Sequence, residues 1–257
     1  MYAKVEGTDI AAWRKWISYP FDLQEGYGAA RFWLQLDEGT PSNIVSDVIL
    51  SDVKTRLSPT SPQATLNHLS GRLSWDKHKD GQEFTAENIK LNTPDGLDMQ
   101  NGNISLRERW IKDKQWFEGR VRLDEILLDT LNTFAGYIPL PKNVKQDLQE
   151  ISPTGKLENV DISWRGSEAI PQEYSLRSKF TDLGMRPFRQ FPGFSNLSGS
   201  VDADEENGTL TLNARNASLD LEKVMRWPIP ADRLSGEVKW THRKNGLDIR
   251  VKNFAIA

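Results

Sequence analysis

The sequence predicts a mainly β fold, an elongated and curved antiparallel sheet with a few short helices at unit boundaries. Three observations predict it. Short runs alternate apolar and polar residues, Asn-Gly and Asp-Gly pairs separate those runs, and the apolar phase slips by one residue at recurring Asn and Asp positions. Alternation with one polar face belongs to antiparallel strands wetted on one side. Asn-Gly and Asp-Gly between two such runs are the strongest short hairpin signals.

Along the chain, Thr8-Asp9 offers helix-capping chemistry and opens a helix to Ile17, with Ile10, Trp13, Trp16 and Ile17 on one face. Ala30, Phe32, Leu34 and Leu36 then alternate with Arg31, Trp33 and Gln35. Hairpins are expected at Asp80-Gly81, Asn207-Gly208 and Asn245-Gly246, with Asp95-Gly96 and Asn101-Gly102 as further turns. A second helix covers Asp124 to Phe134, and residues 143–150 add a short polar one. Leu210, Leu212 and Ala214 alternate with Thr209, Thr211 and Asn213, and a third helix is expected near 220–226. Leu247, Ile249 and Val251 alternate with Asp248, Arg250 and Lys252. Prolines follow each main helix, at Pro20, at Pro139 and Pro141, and at Pro228 and Pro230, which is a stop signal.

Internal repetition carries more information. Leu69-Ser70-Gly71-Arg72-Leu73-Ser74-Trp75 matches Leu234-Ser235-Gly236-Glu237-Val238-Lys239-Trp240, and Gly81 and Gly246, then Asn88 and Asn253, follow at equal spacing. A third copy begins at Leu197-Ser198-Gly199 and reaches Gly208 and Asn216. In each copy the apolar phase slips: Ala86 to Ile89 across Asn88, Ala214 to Ala217 across Asn216, Val251 to Phe254 across Asn253. Similar steps separate Leu50 from Val53, Leu157 from Val160 and Phe180 from Leu183. In a flat strand such a slip turns the apolar face to water. A bulge at the slip bends the strand and keeps that face inward, so the expected object is a trough, polar outside and apolar inside.

The composition excludes several functions. With 33 Lys+Arg against 36 Asp+Glu and a net charge of -3 among 257 residues, the chain lacks the basic surface that nucleic-acid binding uses. Nine Trp, ten Phe and five Tyr are too many for a disordered chain. No apolar stretch approaches the roughly 18 residues of a membrane span, and the N-terminus has no basic-then-apolar signal. The absence of Cys removes disulfides, thiolate catalysis and thiolate metal sites and suits an oxidising compartment such as the periplasm.

Catalytic chemistry is poorly supplied. His68, His78 and His242 are scattered, the last two in equivalent hairpin turns. Gly193-Phe194-Ser195 lacks the second Gly of a nucleophile elbow. Asp202 to Gly208 is acidic but lacks the closing half of a calcium loop. Neither cofactor nor metal is expected, and a hydrolase fails for want of a catalytic cluster. Trp75, Trp164 and Trp240 fall on the apolar phase, where lining or core residues belong; Trp33 falls on the polar phase and is unexplained. Alternation reads identically for a closed β-sandwich and for an open trough.

Phe191-Pro192-Gly193-Phe194-Ser195-Asn196-Leu197-Ser198-Gly199, then Ala217-Ser218-Leu219-Asp220-Leu221, then Asp232-Arg233-Leu234-Ser235-Gly236-Glu237-Val238-Lys239-Trp240 resemble the central region of the AsmA-like YhdP family of Gram-negative bacteria. This family is related to TamB and belongs to the repeating β-groove group. Pro153-Thr154-Gly155-Lys156-Leu157 and Leu69-Ser70-Gly71 with Trp75 fit the same style. The resemblance spans the chain and is strongest from about residue 150 onward.

It implies an inner-membrane-anchored protein whose periplasmic part carries phospholipid toward the outer membrane along an apolar groove. On that basis the chain is expected to be a fragment of a longer protein, without the anchor or the C-terminal region. Its parts are 1–19 (the end of a preceding unit), 20–140 and 141–230 (repeat units), and 231–257 (the start of another). The expected groove residues are Leu34, Leu36, Leu73, Trp75, Val201, Leu210, Leu212, Val238, Trp240, Ile249 and Val251. The expected partners are phospholipid acyl chains, and both membranes through parts absent from this chain. The segment itself is expected to be periplasmic, monomeric and non-enzymatic. The resemblance favours the trough; the rival is a structural or adhesive β-repeat spacer that binds no lipid.

Overall fold

The computed structural model describes residues 1–257 except 16–21, 57–58, 60, 112–115, 138–141, 168–170, 190, 221–226 and 244–245. Its strands are β1 (Tyr2–Asp9), β2 (Asp22–Asp37), β3 (Thr40–Arg56), β4 (Ala64–His78), β5 (Gly81–Asn92), β6 (Asp98–Ile111) and β7 (Trp116–Leu127). After helices α1 (Leu128–Tyr137) and α2 (Lys142–Ile151) come β8 (Thr154–Gly166), β9 (Pro171–Met185), β10 (Gly193–Asp204), β11 (Asn207–Asp220), β12 (Ile229–Arg243) and β13 (Gly246–Ile256). All belong to one 13-stranded sheet in sequence order, with β1 and β13 at its two ends. The mainly β, antiparallel class read from the sequence is the class found.

The chain divides into two compact units: Met1–Trp110 with Thr133–Pro141, and Ile111–Asn132 with Lys142–Ala257. In each, the long strands owe their persistence to alternation and their bends to single residues. All six expected slip positions are left-handed: Asp52 (φ 52), Asn88 (φ 53), Asn159 (φ 51), Asp182 (φ 52), Asn216 (φ 53) and Asn253 (φ 51). Asn and Asp tolerate this conformation because a short polar side chain bonds locally. Asn101 (φ 59) and Asn196 (φ 56) do the same. Ladder registers shift beside them, between Ala86 and Ile89 against β6 and between Ser195 and Gly199 against β11. The β11–β12 ladder instead runs past Asn216 without losing count. The bulge is therefore taken up on one side of the strand.

Buried apolar residues collect at these bends. In the first unit they include Leu50, Val53, Ile89 and Leu91, joined by Ala11, Leu23, Leu66 and Leu97. In the second, Val160, Phe180, Leu212, Ala214 and Ala217 are buried beside Asn159, Asp182 and Asn216. A left-handed residue puts both of its apolar flanks on the inner side of the bend, and the crease between them is the core.

Several boundaries differ from the sequence reading. Thr8 and Asp9 belong to β1, and the first helix is a 3₁₀ turn, Ala11–Lys15. The Asp9 carboxylate still caps it, accepting from the Ala11 and Ala12 amides at 2.9 and 3.3 Å; residues 16–17 lie outside the described residues. Residues 124–127 continue β7, because Glu125, Ile126 and Leu127 pair with Glu158, Leu157 and Lys156, so α1 starts at Leu128. Helix α2 brackets the short polar helix expected at 143–150. Asp220 ends β11, and the expected helix over 221–226 lies outside the described residues.

Turns shift as well. His78 pairs with Gly81, leaving Lys79-Asp80 as the connection. At the β10–β11 hairpin the Asp204 carboxylate accepts from the Glu206 and Asn207 amides at 2.8 and 2.6 Å, drawing the turn ahead of Asn207-Gly208. Arg243 pairs with Gly246 at the third hairpin, where Asn245 lies outside the described residues. Gly96 (φ 94) lies in the turn between β5 and β6, but Asn101-Gly102 is a bulge inside β6.

Candidate functional site

The candidate site is the apolar strand face of each unit, and the ladders show how it is assembled. In the first unit, Phe32, Ser46, Leu73, Ala86 and Ile104 stand in one cross-strand row, and Leu34, Ile44, Trp75, Phe84 and Leu106 in the next. In the second, one row is Val201, Leu210, Val238 and Val251. Its neighbour is Ile162, Leu176, Ala203, Gly208, Trp240 and Ile249. Side chains alternate in direction along every strand, so each row is flanked by residues pointing the other way.

The opposite face is charged and internally paired. Arg72 binds Asp47 through Nε and Nη2 at 2.7 and 3.0 Å. Arg120 grips Asp161 through Nε at 2.7 Å and through Nη2, with Arg122 at 3.4 Å. Arg177 meets Asp202 at 3.0 Å and Arg165 meets Glu118 at 3.0 Å. The hydrogen bonds and charge of Arg72 hold Asp47 below the usual carboxylate range, and those of Arg120 do the same to Asp161. The unexplained Trp33 belongs to this face: its ring lies 5.5 Å from that of Tyr2, and the Arg72 guanidinium sits 5.9 Å from its centroid, a cation–π distance.

All eleven expected groove residues fall on the apolar faces: Leu34, Leu36, Leu73 and Trp75 in the first unit, the other seven in the second. Their depths differ. Leu212 sits in the crease at 9% exposure, whereas Leu73 is 41%, Ile249 56% and Val251 55% exposed. Exposure is highest on the terminal strand β13, where one side has no neighbouring strand. Among the described residues no second sheet covers these faces, and strand packing runs between sequence neighbours. The exposed area bears this out, at 16925 Å². A compact monomer of this size exposes about 11,500 Å², and two separate compact halves about 14,000 Å². A closed sandwich does not describe these units.

The residues weighed for chemistry have local roles. The His68 ring shares a 3.0 Å hydrogen bond with Ser70, and His78 Nε2 lies 3.9 Å from Glu83. In the acidic tip, Asp202 pairs with Arg177, Asp204 caps the turn, and Glu205 accepts from the Tyr174 amide at 3.2 Å. Among the described residues no group of three His, Cys, Asp or Glu is placed to hold a metal ion.

Two features escaped sequence reasoning. Asn101 and Asn196 obey the same rule as the six recognised slips, an apolar residue, any residue, Asn or Asp, then the strand resumed, as in Phe194-Ser195-Asn196-Leu197. The other is a cross-strand pairing of glycine with tryptophan. Gly119 stands opposite Trp164 and Gly208 opposite Trp240. The indole covers the glycine in both: a Cβ built there would fall 2.1 Å from Trp164 Cζ2 or 1.9 Å from Trp240 Cζ2. No local sequence signal links residues that far apart in the chain.

No helix among the described residues is long and apolar enough to cross a membrane. No solved structure matches the chain. It is 21% identical over 275 aligned residues to the intermembrane phospholipid transporter YhdP of Escherichia coli (strain K12), an alignment covering 100% of this chain and 20% of that protein. The chain thus spans about a fifth of the length of this curated relative. The family described as YhdP protein matches residues 1–257 in full. Repeated bends, apolar rows and whole-length match agree, and the chain belongs to the YhdP family.

Proposed function

We propose that this chain is a non-enzymatic stretch of a periplasm-spanning conduit that carries phospholipid between inner and outer membrane, supporting the outer-membrane barrier. The observation that carries the reading is the uncovered apolar face, with Leu73, Phe84, Ile104, Ile249 and Val251 exposed on it. The name of the Escherichia coli relative, an intermembrane phospholipid transporter, supports the same reading. The mechanism is passive. Each methylene kept from water along the face is worth about 0.8 kcal/mol, while the headgroup stays at the wet rim. The chain works as a monomer in the periplasm, in units 20–140 and 141–230 flanked by 1–19 and 231–257. Both membranes are met by other parts of the protein.

Photo-crosslinkers at Leu73, Val238, Ile249 and Val251 should capture phospholipid in cells, and those at Ser74, Lys239 and Arg250 on the opposite face should not. Capture from neither face leaves the chain as a spacer that binds no lipid. Replacing His68, His78 and His242 together should leave capture and cellular function intact; a folded but inactive triple variant would reopen an enzymatic role.

A further inference from the structure

We infer that the indoles of Trp164 and Trp240 mark the height on the second unit's apolar face where a phospholipid's acyl chains end and its ester and phosphate oxygens begin, and that their N–H groups donate to those oxygens. The inference rests on the conduit reading and deepens it.

Position comes first. Leu212 (9% exposed) and Ala214 (1%) lie in the crease, and the Gly208–Trp240 pair stands two same-face rows beyond Leu212. Trp240 stands in the row of Ile249, with only Thr241, His242 and Arg243 beyond it in β12. Trp164 stands opposite Tyr174, with only Arg165 and Gly166 beyond it in β8. Past the indoles one further same-face row remains, His242 with Leu247 beyond Trp240 and Gly166 with Phe117 beyond Trp164, and the β10–β11 tip carries Glu205 and Glu206. The two Trp therefore stand one same-face row from the strand ends, close to the polar tips. An amphipathic ring with one donor suits that place, with its body against hydrocarbon and its N–H toward oxygen.

Chemistry supports the position. Glycine at 119 and 208 lets each ring lie flat on the neighbouring strand, where any Cβ would intrude, so the indoles are seated. Among the described residues neither indole nitrogen meets an acceptor. Trp75, which ends the corresponding repeat in the first unit, differs. Its Nε1 donates to Gln82 Oε1 at 3.1 Å, and Gln82 in turn donates to Glu108 at 2.7 Å. That donor is used within the protein. Those of Trp164 and Trp240 are open.

The test incubates the chain with vesicles of phosphatidylethanolamine and phosphatidylglycerol brominated near either the ester end or the methyl end of the acyl chain. Subtracting the fluorescence of the Trp164→Phe/Trp240→Phe variant isolates the two indoles. Their signal should be quenched more by ester-end bromine. Each single Trp→Phe variant keeps a ring on its glycine but loses the donor, and should retain lipid about fivefold less well. Gly208→Ala should lift the Trp240 ring and abolish its share of the quenching. Stronger quenching from the methyl end overturns the inference, as does no quenching while a crosslinker at Val238 still captures lipid. No quenching and no capture at Val238 overturns the conduit reading with it.

Discussion

Gly71 stands opposite the left-handed Asn88. Ser70 pairs with Lys90 and Arg72 with Glu87, so this one glycine faces both Asn88 and Ile89. A Cβ on Gly71 would lie 2.5 Å from Ile89 Cδ1 and 3.0 Å from the Glu87 carbonyl oxygen. The next full copy of the repeat reproduces the relation. Gly236 falls between Ser235, paired with Ala255, and Glu237, paired with Lys252, opposite left-handed Asn253. The Gly of Leu-Ser-Gly and the Asn downstream are thus two halves of one bend: Asn turns its strand, and Gly lets the neighbouring strand follow closely.

Gly71→Ala should therefore lower stability by about 1–3 kcal/mol, the usual cost of overpacking, read as a fall in the urea midpoint. Ile89→Val deletes the clashing Cδ1. The double variant should lose less than the sum of the two singles, because the residues are in contact.

Asn216 (φ 53) separates conformational from side-chain effects. Asn216→Gly adopts the same backbone freely and should change stability by no more than about 0.5 kcal/mol. Asn216→Val forces a β-branched residue into the left-handed region and should cost about 1–2 kcal/mol or more. Equal midpoints for the two variants would show that the bend does not depend on Asn216.

The bends were legible in the sequence because their signal is local: an apolar residue and its partner three positions on, with Asn or Asp just before the second. The strand faces were legible for the same reason, since a period of two assigns Leu73 inward and Ser74 outward without any knowledge of neighbours. Helix ends were less legible. Ile126 and Leu127 suit a helix as well as a strand, and their ladder with β8 decided. Burial on the face was invisible, since Leu212 and Val251 are equivalent in alternation and stand in adjacent rows, yet only Val251 lies on the terminal strand β13 and is exposed. The Trp–Gly seats were invisible too, because the register that pairs Gly208 with Trp240 is a property of the assembled ladder.

The charged face gives the fold an acid-side dependence. Asp161 is held below the usual carboxylate range by hydrogen bonds from Arg120, then by the charges of Arg120 and Arg122, and Asp47 by Arg72. A carboxylate with a lowered folded-state pKa contributes stability that is fully present above its unfolded value of about 3.9 and is lost as pH falls through the folded value. The urea midpoint should fall on acidification below about pH 4, and Asp161→Asn should flatten part of that fall. The effect should be small, because these pairs are solvent-exposed and screened.

A single negative charge placed at two sites of different exposure, Leu212 inside the sheet and Ile249 on its terminal strand β13, tests the face. Leu212 is buried in the crease beside Ala214 and Phe180, whereas Ile249 is 56% exposed on the same face. Leu212→Asp puts an unpaired carboxylate where neither water nor a partner meets it, and should cost several kcal/mol and often the fold. Ile249→Asp leaves the charge hydrated, so the variant should unfold cooperatively near the wild-type midpoint. If acyl chains run along this arm, Ile249→Asp should nevertheless lose lipid capture by a crosslinker at Val251, because an acyl chain cannot lie against a hydrated carboxylate without displacing its water. A covered face would reverse the stability result and make Ile249→Asp as damaging as Leu212→Asp. An uncovered face that carries no lipid would leave Ile249→Asp stable and give no capture to lose, even in the wild type. Urea midpoints and crosslinking yields on these two variants and the wild type therefore separate a packed core, a bare spacer and a lipid path.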